Sequence, residues 1–95
     1  MEKFDIQITQ SAADDLNSVP NDLRKNILTD IKNLSSNPFP YGTHINKLKG
    51  FKPPLYRLRS GDFRILYRIG GHMITIMRVI NRKELERVIK RLKLN

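Results

Sequence analysis

Apolar and polar positions alternate near the start of the chain. Phe4, Ile6 and Ile8 interleave with Lys3, Asp5 and Gln7, the two-residue period of a strand with one buried face. Thr9 and Ser11 then offer hydroxyls able to cap a helix, and residues 10–19 read as a short first helix ended by Pro20. Asn21 or Asp22 can cap a second helix, in which Leu23, Ile27, Ile31 and Leu34 fall at helical spacing. The two make a helical hairpin whose apolar stripes need a flat surface to cover. Residues 35–44, interrupted by Pro38, Pro40 and Gly42, form a loop.

From Pro54 onward the alternation sorts side chains between two faces of a sheet. Tyr56 and Leu58 point one way and Arg57 and Arg59 the other. Ser60-Gly61-Asp62 signals a turn, after which Phe63, Ile65, Tyr67 and Ile69 share one face and Arg64, Leu66 and Arg68 the other. Gly70-Gly71 closes a second hairpin into a strand over 72–80. A terminal helix follows, with Asn81 as its N-cap and Leu85, Val88, Ile89 and Leu92 on one side. The expected fold is α+β: an N-terminal strand and a helical hairpin packed on a small antiparallel sheet, with a C-terminal helix. With the hairpin on the apolar face, Arg57, Arg59, Arg64 and Arg68 group on an open concave face. Arg82 and Lys83 are brought near it where the last helix starts.

A chain of 95 residues holds one modest core, so residues 1–95 are read as a single domain. No basic start runs into a long apolar stretch and no window approaches a spanning helix, which places the protein in the cytoplasm with no membrane partner. Cysteine is absent, excluding disulfides and a thiolate nucleophile, and His44 and His72 stand too far apart in sequence to begin a metal cluster. Neither metal nor cofactor is expected. The charge is unevenly placed: residues 1–44 carry four basic against six acidic side chains, net −2, and residues 45–95 carry fourteen against three, net +11. The second half therefore faces a polyanion, whether nucleic acid, ribosome or acidic protein.

A face of this kind suits phosphodiester chemistry. Cleaving RNA at the 2′-hydroxyl requires a base for that hydroxyl, cations for the phosphorane charge and an acid for the departing oxygen. Guanidinium groups match phosphate oxygens two at a time and keep their charge, whereas lysine loses a proton when crowded by other cations. Lys47, Lys49 and Lys52 are thus candidate bases if Arg57 and Arg64 crowd them. Phosphate binding without chemistry is the alternative for the same arginines.

The segments "INKLKG", "LYRLRSGDFRILYRI" and "ITIMRVINRKELERV", in this order and spacing, resemble the RelE/ParE toxins of type II toxin–antitoxin systems, and the likeness extends over almost the whole chain. It implies an antiparallel sheet with helices on one face and, in RelE-like members, a ribosome-dependent endonuclease cutting mRNA in the A site. Carried across, the turn arginine is Arg64 and the arginine opening the terminal segment is Arg82, the pair that would hold the scissile phosphate. Arg57 matches the cation preceding the turn. Lys47 and Lys49 match a basic segment that touches RNA, and Lys52, Arg59, Arg68 and Lys83 extend that surface. Where RNA-cleaving relatives have His and Tyr around the terminal arginine, this chain has Asn81 and Glu86. Glu86 can act as acid or base beside the cations, or pair with Arg82 or Lys90 at four-residue spacing. The resemblance also implies an acidic antitoxin from an adjacent gene, partly disordered until it wraps the positive face in a hetero-oligomer. Two other readings stand beside the nuclease: a ParE-like gyrase inhibitor without nuclease chemistry, and a decayed toxin kept for nucleic-acid binding and autoregulation with its antitoxin.

Overall fold

The structure, a computed structural model, describes residues 3–93. In chain order the elements are β1 (Asp5–Ile8), α1 (Gln10–Asn17), α2 (Asn21–Asn33), β2 (Ile45–Leu48), β3 (Leu55–Ser60), β4 (Phe63–Gly70), β5 (Met73–Asn81), a 3₁₀ turn (Arg82–Glu84) and α3 (Leu85–Lys93). The α+β class expected from the pattern is present. Five strands make one sheet in the order β1-β5-β4-β3-β2.

Three details depart from expectation. The sheet is mixed, because β1 lies outside β5 in parallel, Asp5 opposite Met73 through Ile8 opposite Ile76. No hairpin ties β1 to β5, so nothing local forces the antiparallel sense. The second is β2, which pairs antiparallel with β3 in a segment to which the pattern assigned no element. The capping of α2 also differs: Pro20 occupies its N-cap and no side chain bonds the first turn, so neither Asn21 nor Asp22 serves. Thr9 does cap α1, its hydroxyl accepting from the Ala12 N–H.

Each face of the sheet carries its own core. The helical hairpin lays Ala12, Leu16, Ile27, Ile31 and Leu34 over Ile45, Leu58, Ile65, Tyr67, Ile74 and Ile76. On the opposite face α3 sets Val88 on Leu55, Leu66 and Ile80, with Leu85 and Leu92 beside it. The cationic face is therefore less open than the strand pattern suggested. Leu66, which alternation places among the arginines, is fully buried. The last helix starts next to the β3–β4 turn and ends with the Lys93 ammonium 5.6 Å from the Phe51 ring centre, in the β2–β3 loop. What stays uncovered is the corner around Asn46, Arg57 and Arg59. Among the described residues no helix is long and apolar enough to cross a membrane.

Candidate functional site

The uncovered corner is organised by one tight turn. Ser60 pairs with Phe63, so Gly61 and Asp62 form a two-residue hairpin loop, and Gly61 takes its first position at φ +56°. A glycine is favoured there because the positive φ crowds any Cβ against its own backbone. Arg64 stands directly opposite Arg59 in the ladder, as alternation requires, but it does not reach outward. Its Nη1 folds back and donates to the carbonyls of Gly61 (3.0 Å) and Phe63 (2.9 Å), leaving the residue 8% exposed. Arg64 is thus both the base of the turn and the cation beneath it.

The terminal segment docks on the same turn. Asn81 accepts from the Lys83 N–H through its side chain at 3.0 Å, fixing the 3₁₀ turn as the sequence suggested. The Arg82 N–H donates to the Asp62 carbonyl at 2.8 Å, and the Arg82 guanidinium lies 3.9 Å from the Asp62 carboxylate. Both side chains are exposed, so that ion pair orients more than it stabilises. Arg57 enters from β3: its Nη2 donates to the Thr43 carbonyl at 3.0 Å and reaches Asn46 once the Asn46 amide oxygen faces it. The Arg57 Nε is buried with no partner among the described residues.

These positions act on one another electrically. Burial, first, and then the charges of Arg57, Arg59 and Arg82 hold the Arg64 guanidinium below its ordinary value, with Asp62 opposing them. Positive charge thus accumulates at this turn, where Arg59 stands opposite Arg64 and Arg82 lies beside Asp62, and an anion would relieve it.

The other candidates suggested by the sequence lie apart from this cluster. Lys47 pairs with Tyr56 and so emerges on the helical-hairpin side, away from Arg57, which faces Asn46. Lys49 and Lys52 are exposed in the β2–β3 connection, beyond the Leu55 end of β3. Leu55 and Arg59 are about 13 Å apart along the strand at the usual rise per residue. Crowding by Arg57 and Arg64 therefore does not make these lysines bases. Arg68 is half-buried near the far end of β4, with its Nε unpartnered among the described residues. Lys83 is exposed beside Arg82. Glu86 is exposed on α3 and makes no ion pair with Arg82 or Lys90; the pair on this stretch is Glu84 with Arg87, at 2.8 Å. His72 is exposed next to Phe4, and His44 is exposed beside Tyr41 while its carbonyl accepts from the Arg59 N–H. Reading Ser60-Gly61-Asp62 only as a turn missed Asp62, whose place between two arginines was the available signal.

Comparison with known proteins follows the same lines. The profile of the family described as the ParE toxin of type II toxin–antitoxin systems (parDE) matches residues 6–86. A Methanocaldococcus jannaschii protein provisionally named toxin RelE1 is 34% identical over 84 residues, 86% of this chain and 92% of the relative. Among solved structures, a chain of the archaeal RelE–RelB complex from Pyrococcus horikoshii OT3 superposes with a TM-score of 0.72 at 26% identity, covering 84% of this chain and 96% of that one. The RelB–RelE antitoxin–toxin complex from Methanococcus jannaschii gives 0.69 at 28% identity, covering 86% and 96%.

Proposed function

This chain belongs to the RelE/ParE-type toxins of type II toxin–antitoxin systems, and from that premise we propose that it is a ribosome-dependent mRNA endoribonuclease that halts translation. The observation that supports this reading is that Arg59 stands opposite the buried Arg64 in the β3–β4 ladder while Arg82 is held on the same turn by Asp62. In such a cleavage the 2′-oxygen bonds to phosphorus as the bond to the 5′-oxygen breaks. One proton leaves the 2′-hydroxyl and one arrives on the departing oxygen. Arg82, exposed and tethered through its backbone, grips the phosphate, while the cations around Arg64 offset the charge that builds on the phosphorane. Arg59, Lys83 and, farther off, Lys49, Lys52 and Arg68 extend the positive surface along the RNA. Lys47 meets RNA only on the other side of the sheet. The partner is an acidic antitoxin that neutralises this surface in a hetero-oligomer.

One observation favours a second reading, a gyrase inhibitor without nuclease chemistry. Asn81, beside the key arginine, does not titrate and its side chain is spent on a cap, which leaves proton transfer to Glu86 on the exposed side of α3.

The test is cell-free translation with the purified protein, wild type beside Arg82→Ala, with primer extension to map new message ends. Codon-aligned cuts that need ribosomes and fall about a hundredfold in the variant are expected. Intact message would overturn the nuclease reading, and inhibition of gyrase supercoiling by the same sample would then establish the second.

A further inference from the structure

A crevice of about 80 Å³ opens where the last turn of α2 meets the 35–44 loop, and its lining is chiefly polar: Asp30 and Asn33 from the helix, Asn37, Tyr41 and His44 from the loop. Tyr41 is 51% exposed and has the exposed His44 as its ring neighbour, the centroids 5.6 Å apart and the planes 37° from parallel. We propose that this pair is a stacking seat for one unpaired RNA base, and that the crevice beside it takes the edge of a base carrying an exocyclic amino group. The inference rests on the reading of this chain as RNA-directed, and adds a base contact to the phosphate contacts made by the arginines.

The loop is held before any ligand arrives. Tyr41 bridges to Ile45, its carbonyl accepts from the His44 N–H at 3.3 Å, and upstream the Tyr67 hydroxyl fixes the Pro38 carbonyl. An aromatic ring presented to water on a fixed backbone offers its face at little entropic cost, and single-stranded RNA is gripped by stacking its bases on such rings. A cation lies at hand. The Arg57 guanidinium donates to the carbonyl of Thr43, which stands in the chain between the two aromatic residues, and the Arg59 N–H donates to the His44 carbonyl. The seat thus adjoins the arginine corner, so a nucleotide there sets its base on the rings and its phosphate toward Arg57. The edge preference comes from Asp30. One of its oxygens accepts from the Ser60 hydroxyl, and the other has no partner among the described residues. A carboxylate only accepts, so it favours an amino group, which adenine, cytosine and guanine carry and uracil lacks. Ordinary ligand pockets begin near about 300 Å³, so this smaller crevice takes the edge of one base and not a whole nucleotide.

The chain has no tryptophan, so Tyr41→Trp places a single fluorescent reporter in the seat while keeping a ring that stacks. Its emission is followed as short single-stranded RNAs are added: oligocytidylate, oligouridylate and an abasic strand of the same charge. Both base-bearing strands should quench it and the abasic strand should not. Tyr41→Leu, read by the anisotropy of labelled RNA, should raise the Kd for oligocytidylate about fivefold or more and that for the abasic strand by less than about twofold. Oligocytidylate should bind more tightly than oligouridylate, and Asp30→Asn, which keeps an oxygen for Ser60, should abolish that preference. Thermal melts matched to wild type certify folding of each variant. Equal quenching by the abasic strand, or an unchanged Kd in Tyr41→Leu, would overturn the seat, and a preference that survives Asp30→Asn would overturn the edge contact. The translation assay then assigns the source of the base. With Tyr41→Leu, a changed set of cut codons assigns it to the message and an even fall at every codon assigns it to ribosomal RNA. Cutting identical to wild type would overturn the inference and leave the nuclease in place. Message left intact by the wild type would overturn the nuclease reading alone, because the seat is judged on the oligonucleotides.

Discussion

At the scale of single residues, Tyr67 and Arg64 show what burial does to polar groups. Tyr67 is fully buried, and its hydroxyl donates to the Pro38 carbonyl at 2.6 Å, pinning the 35–44 loop to the sheet. Burial, with Tyr56 and Tyr41 as lesser causes, raises its pKa well above the ordinary 10. The folded protein therefore keeps a proton that the unfolded chain releases, so this contribution is whole below about pH 10 and is lost as pH climbs above it. Alkaline unfolding should steepen there by about 1.4 kcal/mol per pH unit. Tyr67→Phe should remove that steepening at a cost of about 1–2 kcal/mol at neutral pH, checked by denaturation at several pH values. Arg64 was legible from the pattern as a cation on the second face. Its burial was not, because bonds to the turn carbonyls depend on how a hairpin closes and leave no mark on alternation. For the same reason the side of the sheet from which Lys47 leaves was not legible: only its register with Tyr56 shows it.

At the scale of elements, α1 does for β5 what another strand would. Beyond Ile76 the outer edge of β5 has lost β1, and α1 supplies the missing bonds. The Thr9 hydroxyl donates to the carbonyls of Ile76 and Met77, and the Asp15 carboxylate accepts from the Val79 N–H at 2.9 Å and from Arg78. A covered edge is closed to unwanted pairing with other chains. The clamp also fits the slip in β4–β5 register between Leu66 and Tyr67, where Met77 is the extra residue. The bond from Arg78 to Asp15, more than any other cause, raises the Arg78 pKa, while burial opposes it, so the guanidinium stays charged throughout the useful pH range. Asp15→Asn keeps the shape but loses the charge, and should cost about 1–3 kcal/mol after allowance for partial exposure, read from the midpoint of chemical denaturation. Helices α1, α2 and α3 and strands β3 to β5 were legible from periodicity and turn residues. β2 was not, since Ile45-Asn46-Lys47-Leu48 alternates too weakly and follows a Pro- and Gly-broken run. Nor was the second core beneath α3, because a buried Leu66 among arginines looks like an exception until a helix is seen to cover it.

At the scale of the whole molecule, charge and compactness oppose each other. The second half carries net +11 in a body whose radius of gyration is 12.5 Å. That repulsion weakens as salt shortens the screening length to about 10 Å at 0.1 M. The melting temperature should accordingly rise as salt is added from very low ionic strength, and a polyanion should raise it further by binding the folded state alone. A fall with salt would mean that ion pairs such as Arg78 with Asp15 outweigh the repulsion. Strand order has an effect of another kind. β1 precedes its sheet neighbour, Met73–Ile76, by 68 residues (Asp5 opposite Met73), and Arg82 follows that neighbour. The sheet therefore stays unfinished until β5 has been made, and the turn that holds Arg82 cannot form before it.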